Sequence, residues 1–221
     1  WQSIYKMPKK YFEQFGCVIG DEAHMFKAKS LTSIMTKLHQ CKYRFGFTGT
    51  LDGTETHRLV LEGLFGSVEQ VVTTKELIDK KTLANLKIKC ITLKHPEKRE
   101  KMTYAEELDY IVSHEKRNTF LCDLLHHLNG NTLCLFQLVE KHGKVLYERM
   151  KGKENVYFVY GATSAEQREE IRTIVDKSKN STTIASYGTF STGINIRNIN
   201  NIVLASPSKS KIRVLQSIGR G

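Results

Sequence analysis

No stretch of the 221 residues approaches the roughly 18 consecutive apolar residues that a membrane span requires. The opening segment, Trp1 to Phe15, carries Lys6, Lys9 and Lys10 with no apolar run behind them, which argues against a signal peptide. The five cysteines, Cys17, Cys41, Cys90, Cys122 and Cys134, are odd in number and form no C-x-x-C pair. A disulfide framework or a zinc site is therefore not expected, and buried reduced thiols are. The one adjacent histidine pair, His126-His127, would point to two different faces of a helix and reads as helix surface rather than a metal site. These absences leave a soluble, cytoplasmic protein as the expectation. With 40% hydrophobic residues it can bury a real core, and its length allows one large domain or two small ones.

What is abundant is positive charge. Lysine and arginine number 34 against 23 acids, a net +11. Residues 1–95 carry +6 of this and the remainder +5, so the excess is spread over the chain and not gathered in a tail. Such a field attracts polyanions, nucleic acid being the usual one, although solubility alone would also explain it.

The hydrophobic pattern alternates strand and helix. Cys17-Val18-Ile19 reads as a buried strand, and Leu31, Ile34, Met35 and Leu38 mark an amphipathic helix. Tyr43 to Thr48 reads as a strand, followed by a helix carrying Leu61, Leu64 and Phe65. Leu86, Ile88 and Cys90 alternate with lysines as a strand with one wet face would. The charged segment from Lys94 to Lys101, with Pro96, is the expected linker, and a long helix is expected from about Met102 to Leu128. Strands follow at Thr132 to Val139, Asn155 to Tyr160, Thr182 to Ser186 and Asn201 to Ala205. Thr163 and Glu166 fit a capping box, and Tyr157, Phe158 and Tyr160 fit an apolar strand better than a base-stacking platform. Strands separated by helices imply parallel α/β sheets.

Asp21-Glu22-Ala23-His24 stands where a buried strand ends, the place where ligands of open α/β sheets gather. Two adjacent carboxylates there suit Mg²⁺–nucleotide chemistry: Asp21 holding the metal directly or through water, Glu22 polarising the attacking water. Alone, the tetrapeptide also fits a solvated loop. Phe47-Thr48-Gly49-Thr50 ends the next strand and offers hydroxyls that could couple one site to another. Gly161-Ala162-Thr163 opens a capped helix whose N–H groups can hold a phosphate. Ser191 to Asn195 forms a second polar turn, and Gln216 to Gly221 sets Arg220 beside glycines, where a guanidinium can meet a transferring phosphate.

In this order the segments resemble the motifs of superfamily 2 helicases. Asp21 to His24 is similar to motif II, Thr48-Gly49-Thr50 to motif III, Leu135-Phe136-Gln137 to motif IV, Thr189 to Asn195 to motif V, and Gln216 to Gly221 to the start of motif VI. The resemblance implies an α/β fold of two RecA-like parallel-sheet domains, a P-loop NTPase helicase core whose first domain is incomplete. Residues 1–94 would be the C-terminal portion of the first domain, 95–118 the linker and start of a connecting helix, and 119–221 the second domain. It implies ATP and Mg²⁺ as cofactors, held in the cleft between the domains. Asp21, Glu22, Gln216 and Arg220 would be catalytic; His24, Gly193 and Asn195 would join them around the nucleotide, with Asp21 on Mg²⁺. His24, Thr48 and Thr50 would couple that site to nucleic acid. Thr50, Gln137, Gly161, Thr163 and Thr189 would contact the phosphate backbone, which positions a strand without reading its sequence.

The chain departs from the family pattern in three places. It contains no G-x-x-x-x-G-K-[ST]; Asn195 stands where many relatives have aspartate; and the sequence stops before the second arginine of Q-x-x-G-R-x-x-R. ATP hydrolysis is thus expected of the full-length protein and not of these 221 residues alone. The opening Trp1-Gln2-Ser3-Ile4, the Asp21 block through Lys29, and Phe47 to Gly53 are most similar to the recombination and repair helicases of T4-type phages. That implies single-stranded, forked or branched DNA as partner, in a host bacterial cytoplasm. The D-E-A-H spelling also fits an RNA helicase. A translocase subunit of a restriction or remodelling complex, or a non-catalytic nucleic-acid-binding module, are the remaining alternatives. An adjacent acidic pair is a poor surface for the last.

Overall fold

The computed structural model describes all residues except 50, 52, 53, 82–86, 95–100, 192–195, 197, 211–213, 215, 216 and 218–221. The chain forms two compact units, Trp1–Asn85 and Leu86–Gly221.

In unit 1 a short helix α1 (Lys9–Phe12) leads into strand β1 (Cys17–Gly20), helix α2 (Lys29–Lys37), strand β2 (Tyr43–Gly46) and helices α3 (Glu55–Phe65) and α4 (Thr74–Asp79). The two strands pair in parallel, Cys17 opposite Tyr43 and Gly20 opposite Gly46. Leu31, Ile34 and Met35 line one side of α2 and are buried with Phe12, Phe26, Leu38 and Leu61, as helical periodicity requires. At the carboxyl ends of the strands Gly20 and Gly46 admit the Phe26 and Phe65 rings, which pack edge to face at 4.9 Å. A Cβ on Gly20 would stand 2.9 Å from both rings. Elsewhere the sheet stays open: Ile19, Phe45 and Phe47 are 67%, 50% and 59% exposed.

Unit 2 begins with α5 (Tyr104–Ser113) and α6 (Glu115–His127). It continues with β3 (Thr132–Phe136), α7 (Lys144–Arg149), β4 (Val156–Val159), α8 (Ala165–Lys177), β5 (Thr182–Ser186), α9 (Tyr187–Ser191) and β6 (Asn201–Leu204). The sheet order is β4-β5-β3-β6, with every pairing parallel. All five residues of β3 are buried, the signature of a central parallel strand covered on both faces. Cys134 and Phe136 face α6 and α7 through Leu121, Leu125, Leu146 and Met150. Leu133 and Leu135 face the other way, towards Val175 and Ile171 of α8. Each fully buried Leu or Phe contributes about 1.5–3 kcal/mol. Asn131 secures the amino ends of the strands: its Nδ2 donates to the carbonyls of Val175, Ser178 and Asn198, and its Oδ1 accepts from Ser181 Oγ.

Several local expectations change. Residues 87–94 form no strand, and Ile88 is 65% exposed; alternation marks two faces, but a strand exists only where a neighbour takes its hydrogen bonds. The expected long helix is two. His114 is extended (φ −69, ψ 115), ending α5, and its Nδ1 accepts from Arg117 N–H to cap α6. The capping box before α8 lies one residue later, on Ser164 and Gln167, because Thr163 spends its hydroxyl on Tyr160 N–H. All five cysteines are free, but only Cys41, Cys122 and Cys134 are buried; Cys17 and Cys90 are exposed, since the strand meant to hide Cys90 does not form. Phe158 packs into the core, stacked between Phe136 and Tyr147.

Candidate active site

In unit 1 the ends of β1 and β2 are sewn together. Phe47 N–H donates to Gly20 O and Ala23 N–H donates back to Phe47 O, each at 2.8 Å. The main chain thus fixes Thr48 against the Asp21–Glu22 turn. Glu22 is left-handed, at φ 49 and ψ 49, a conformation costing an L-residue about 1–2 kcal/mol. Its N–H donates to Asp21 Oδ1 at 2.8 Å, and its carbonyl accepts Met25 N–H, opening the 3₁₀ turn Ala23–Lys27.

That turn carries His24 inward until 3% of it is exposed. Its Nδ1 lies 3.0 Å from Thr48 Oγ1 and 3.2 Å from Glu22 Oε2. Nδ1 hydrogen-bonds the Thr48 hydroxyl, and the Glu22 carboxylate lies within ion-pair reach of the same ring nitrogen. A buried imidazole therefore orients a carboxylate whose side chain remains 46% exposed. Asp21 beside it is exposed, a hard oxygen donor of the kind Mg²⁺ takes. Among the described residues no cluster of three or more His, Cys, Asp or Glu could hold a metal. A divalent ion on Asp21 would complete its shell with phosphate and water oxygens, so the residues present fit Mg²⁺ bound together with a nucleotide.

In unit 2, Gln137 follows β3; its N–H donates to Ser206 Oγ at 3.0 Å, and its Oε1 is buried with no partner among the described residues. Gly161 and Thr163 lie in the turn between β4 and α8. Thr163 N–H donates to Tyr160 O, and Arg168 donates from Nε to Thr163 O and from Nη2 to Gly161 O. Gly161 is exposed and Thr163 half-buried. Thr189, in α9, is 4% exposed with its hydroxyl 2.7 Å from Ser186 Oγ, the least accessible of the described residues expected on the phosphate backbone. Thr50, Gly193, Asn195, Gln216 and Arg220 lie outside the described residues.

Asp21, Glu22, His24 and Thr48 are thus brought together within unit 1, and Gln137, Gly161, Thr163 and Thr189 sit at the carboxyl side of the unit 2 strands. The sequence pattern did not mark Arg168, which pins the Gly161 turn, nor His142 and Ser206, which meet behind Gln137. Only the proximity of Arg168 to a capped helix start hinted at a role. His142 and Ser206 are 64 residues apart and carried no signal.

Residues 2–53 match the family described as the res subunit of type III restriction enzymes, and residues 116–221 match the helicase conserved C-terminal domain. The chain is 37% identical over 228 residues to the ATP-dependent DNA helicase UvsW of Enterobacteria phage T4, covering all of this chain and 45% of that protein. The crystal structure of T4 UvsW matches with a TM-score of 0.50 at 33% identity, covering 100% of this chain and 44% of that one. S. cerevisiae Dbp5, solved bound to RNA and ADP BeF3, matches with a TM-score of 0.53 over 92% of this chain and 49% of its own, at 14% identity. The last shows fold alone: parallel α/β units of the RecA-like helicase kind. The chain thus spans about half the length of the relatives it matches. Motif order, both domain families and the whole-chain identity to a phage helicase agree that this chain belongs to the superfamily 2 helicases.

Proposed function

We propose that the chain works in an ATP-dependent DNA helicase that acts on forked or branched DNA, in the cytoplasm of a phage-infected bacterium. The observation that carries this is the Glu22–His24–Thr48 cluster, in which one buried ring holds both a candidate general base and the end of the neighbouring strand. Bound Mg²⁺–ATP supplies an electrophilic phosphorus and neutralises the charge of its phosphates. Asp21 offers a carboxylate oxygen to the metal. Glu22, oriented by His24, accepts the proton of the attacking water. Because the same ring nitrogen reaches Thr48 Oγ1, a change in the charge of Glu22 alters the hold on the Phe47–Thr48 turn, which couples hydrolysis to the nucleic-acid track.

On the second unit Gln137, Gly161, Thr163 and Thr189 serve as backbone contacts, and Gly193, Asn195, Gln216 and Arg220 are assigned to the nucleotide by their sequence motifs alone. DNA is favoured over RNA by the 37% identity to a protein named a DNA helicase, whereas the RNA-bound relative is 14% identical. A net charge of +11 favours binding that weakens steeply with salt.

The test is ATP hydrolysis by the protein at its native length with forked DNA, single-stranded DNA, RNA or nothing added. Stimulation by DNA that disappears in Glu22→Gln is the expected result. Stimulation by RNA alone would overturn the substrate, and tight DNA binding with no hydrolysis under any condition would overturn the motor. The 221 residues alone, without a G-x-x-x-x-G-K-[ST], are expected to show no turnover above the Glu22→Gln background.

A further inference from the structure

Ser206, two residues beyond β6, is 3% exposed and stands at a junction of three segments. Its Oγ accepts Gln137 N–H at 3.0 Å and lies 2.9 Å from His142 Nδ1; its carbonyl accepts Tyr187 O–H at 2.9 Å. Its neighbour Ala205 is held on both sides, its N–H donating to Leu135 O and its carbonyl accepting from Arg117 Nη2.

Ser206 Oγ accepts from Gln137 and keeps one lone pair and one proton, so it can pair with His142 Nδ1 in either tautomer of the ring; His142 Nε2 is buried with no partner among the described residues. The imidazole is neutral. Complete burial favours that form, and with the Arg117 guanidinium nearby holds the His142 pKa down at about 4. The ring reaches Ser206 because the chain makes a π turn at Val139–Gly143, with Gly143 N–H donating five residues back to Leu138 O. His142 is the residue before Gly143 in that turn, and it is fully buried. Such single π turns recur at functional sites. On the far side, Tyr187 precedes Thr189, whose N–H and Oγ1 both engage Ser186 Oγ.

We propose that Ser206 and His142 form a strut that positions Gln137 for the nucleic-acid backbone and ties it to the turn carrying Thr189. Neither residue touches the strand; both are positioning residues. The inference rests on the proposed role of Gln137 as a backbone contact, and it explains why two uncharged polar groups are kept buried next to a core of Cys134 and Phe136. Removing the hydroxyl leaves Gln137 N–H and His142 Nδ1 without their partner and frees the residue that follows β3.

The experiment measures nucleic-acid-stimulated ATP hydrolysis by the native-length protein as single-stranded DNA is titrated. The variants are Gln137→Ala, Ser206→Ala, Ser206→Thr, His142→Leu and His142→Asn, the last placing an amide oxygen near the position of Nδ1. The expected result is a half-saturating DNA concentration raised about tenfold in Gln137→Ala, Ser206→Ala and His142→Leu, as loss of one buried hydrogen bond implies. Turnover at saturating DNA should stay near wild type, and Ser206→Thr and His142→Asn should recover most of the affinity. If Gln137→Ala weakens DNA stimulation while the Ser206 and His142 variants do not, the strut is overturned and the role of Gln137 stands. If Gln137→Ala has no effect, both fall. Lower turnover with unchanged half-saturation would mark a merely structural contact and overturn the proposal. Should His142→Leu fail to fold, Ser206→Ala decides, since it removes one oxygen and leaves the backbone choices unchanged.

Discussion

Unit 1 carries its polar chemistry on an open, two-stranded sheet, whereas unit 2 carries its own behind a sheet covered on both faces. In unit 1 the carboxylates are exposed or half exposed, and Glu22 is held in a strained left-handed conformation by its neighbours. In unit 2 His142, Ser206 and Tyr187 are buried, and the Ser206 hydroxyl accepts from Gln137 N–H and meets His142 Nδ1. Groups that must meet a charged ligand stay wet and tolerate strain. Groups that only transmit geometry are dry, uncharged and hydrogen-bonded to one another.

A single added methyl group should separate the two units most strongly. Gly143 closes the π turn against the fully buried Phe136 ring, and a Cβ there would overlap that ring. Phe136 cannot yield, because it stacks on Phe158 at 5.5 Å and 12°. Gly143→Ala is expected to destabilise unit 2 by about 3 kcal/mol, the upper range for overpacking. Gly63, on the exposed side of α3, has nothing within 4 Å of a Cβ, so Gly63→Ala should stabilise unit 1 by about 1 kcal/mol through helix propensity. Urea unfolding followed by circular dichroism, with fluorescence of the single Trp1 reporting on unit 1, separates the two. Equal small effects would mean that unit 2 has slack that its packing denies.

Acid should sharpen the contrast next. The folded-state pKa of His142 lies at about 4, below its ordinary 6.5, because burial and the Arg117 charge disfavour protonation. Below pH 6.5 the unfolded chain takes up a proton that the folded chain refuses until about pH 4. The stability contribution is therefore complete above pH 6.5 and lost as pH falls towards 4, amounting to about 3 kcal/mol there. Carboxylates also titrate in this window, so the quantity to measure is the difference between wild type and His142→Asn. That difference should vanish near pH 7 and favour the variant increasingly towards pH 4. A pH-independent difference would place the imidazole in water.

The same contrast decides what was legible in the sequence. Unit 2 was legible because the apolar run Leu133 to Phe136 suits a buried parallel strand and recurs between helical patterns. That Asp21-Glu22 and Thr48 each follow the end of a strand was also legible, and parallel strands bring such ends together; the link between His24 and Thr48 came only from the family resemblance. What stayed hidden depended on single-residue shifts. The π turn carries His142, the helix cap moves from Thr163 to Ser164, and His114 breaks one expected helix into two. Each is a competition between local hydrogen bonds worth about 1 kcal/mol, below what periodicity can resolve. The strand expected at 86–90 failed for another reason: alternation specifies faces, and pairing needs a neighbour.

The smallest effect tests whether the strain in unit 1 is real. Asparagine tolerates the left-handed region better than glutamate, and the Glu22 side chain is too exposed for its contact with His24 to contribute much. Glu22→Asn should therefore raise the stability of unit 1 slightly, by about 0.5 kcal/mol after the lost contact is subtracted. The amide of asparagine replaces the carboxylate and cannot act as a general base, so the same change should abolish DNA-stimulated ATP hydrolysis in the native-length protein. A gain in stability together with loss of turnover would identify Glu22 as a residue kept in an unfavourable conformation for its chemistry. A loss exceeding about 1 kcal/mol would instead mean that the contact with His24 outweighs the backbone cost. The Asp21–His24 turn would then be a stable element like the strut of unit 2, and the difference between the two regions would reduce to exposure alone.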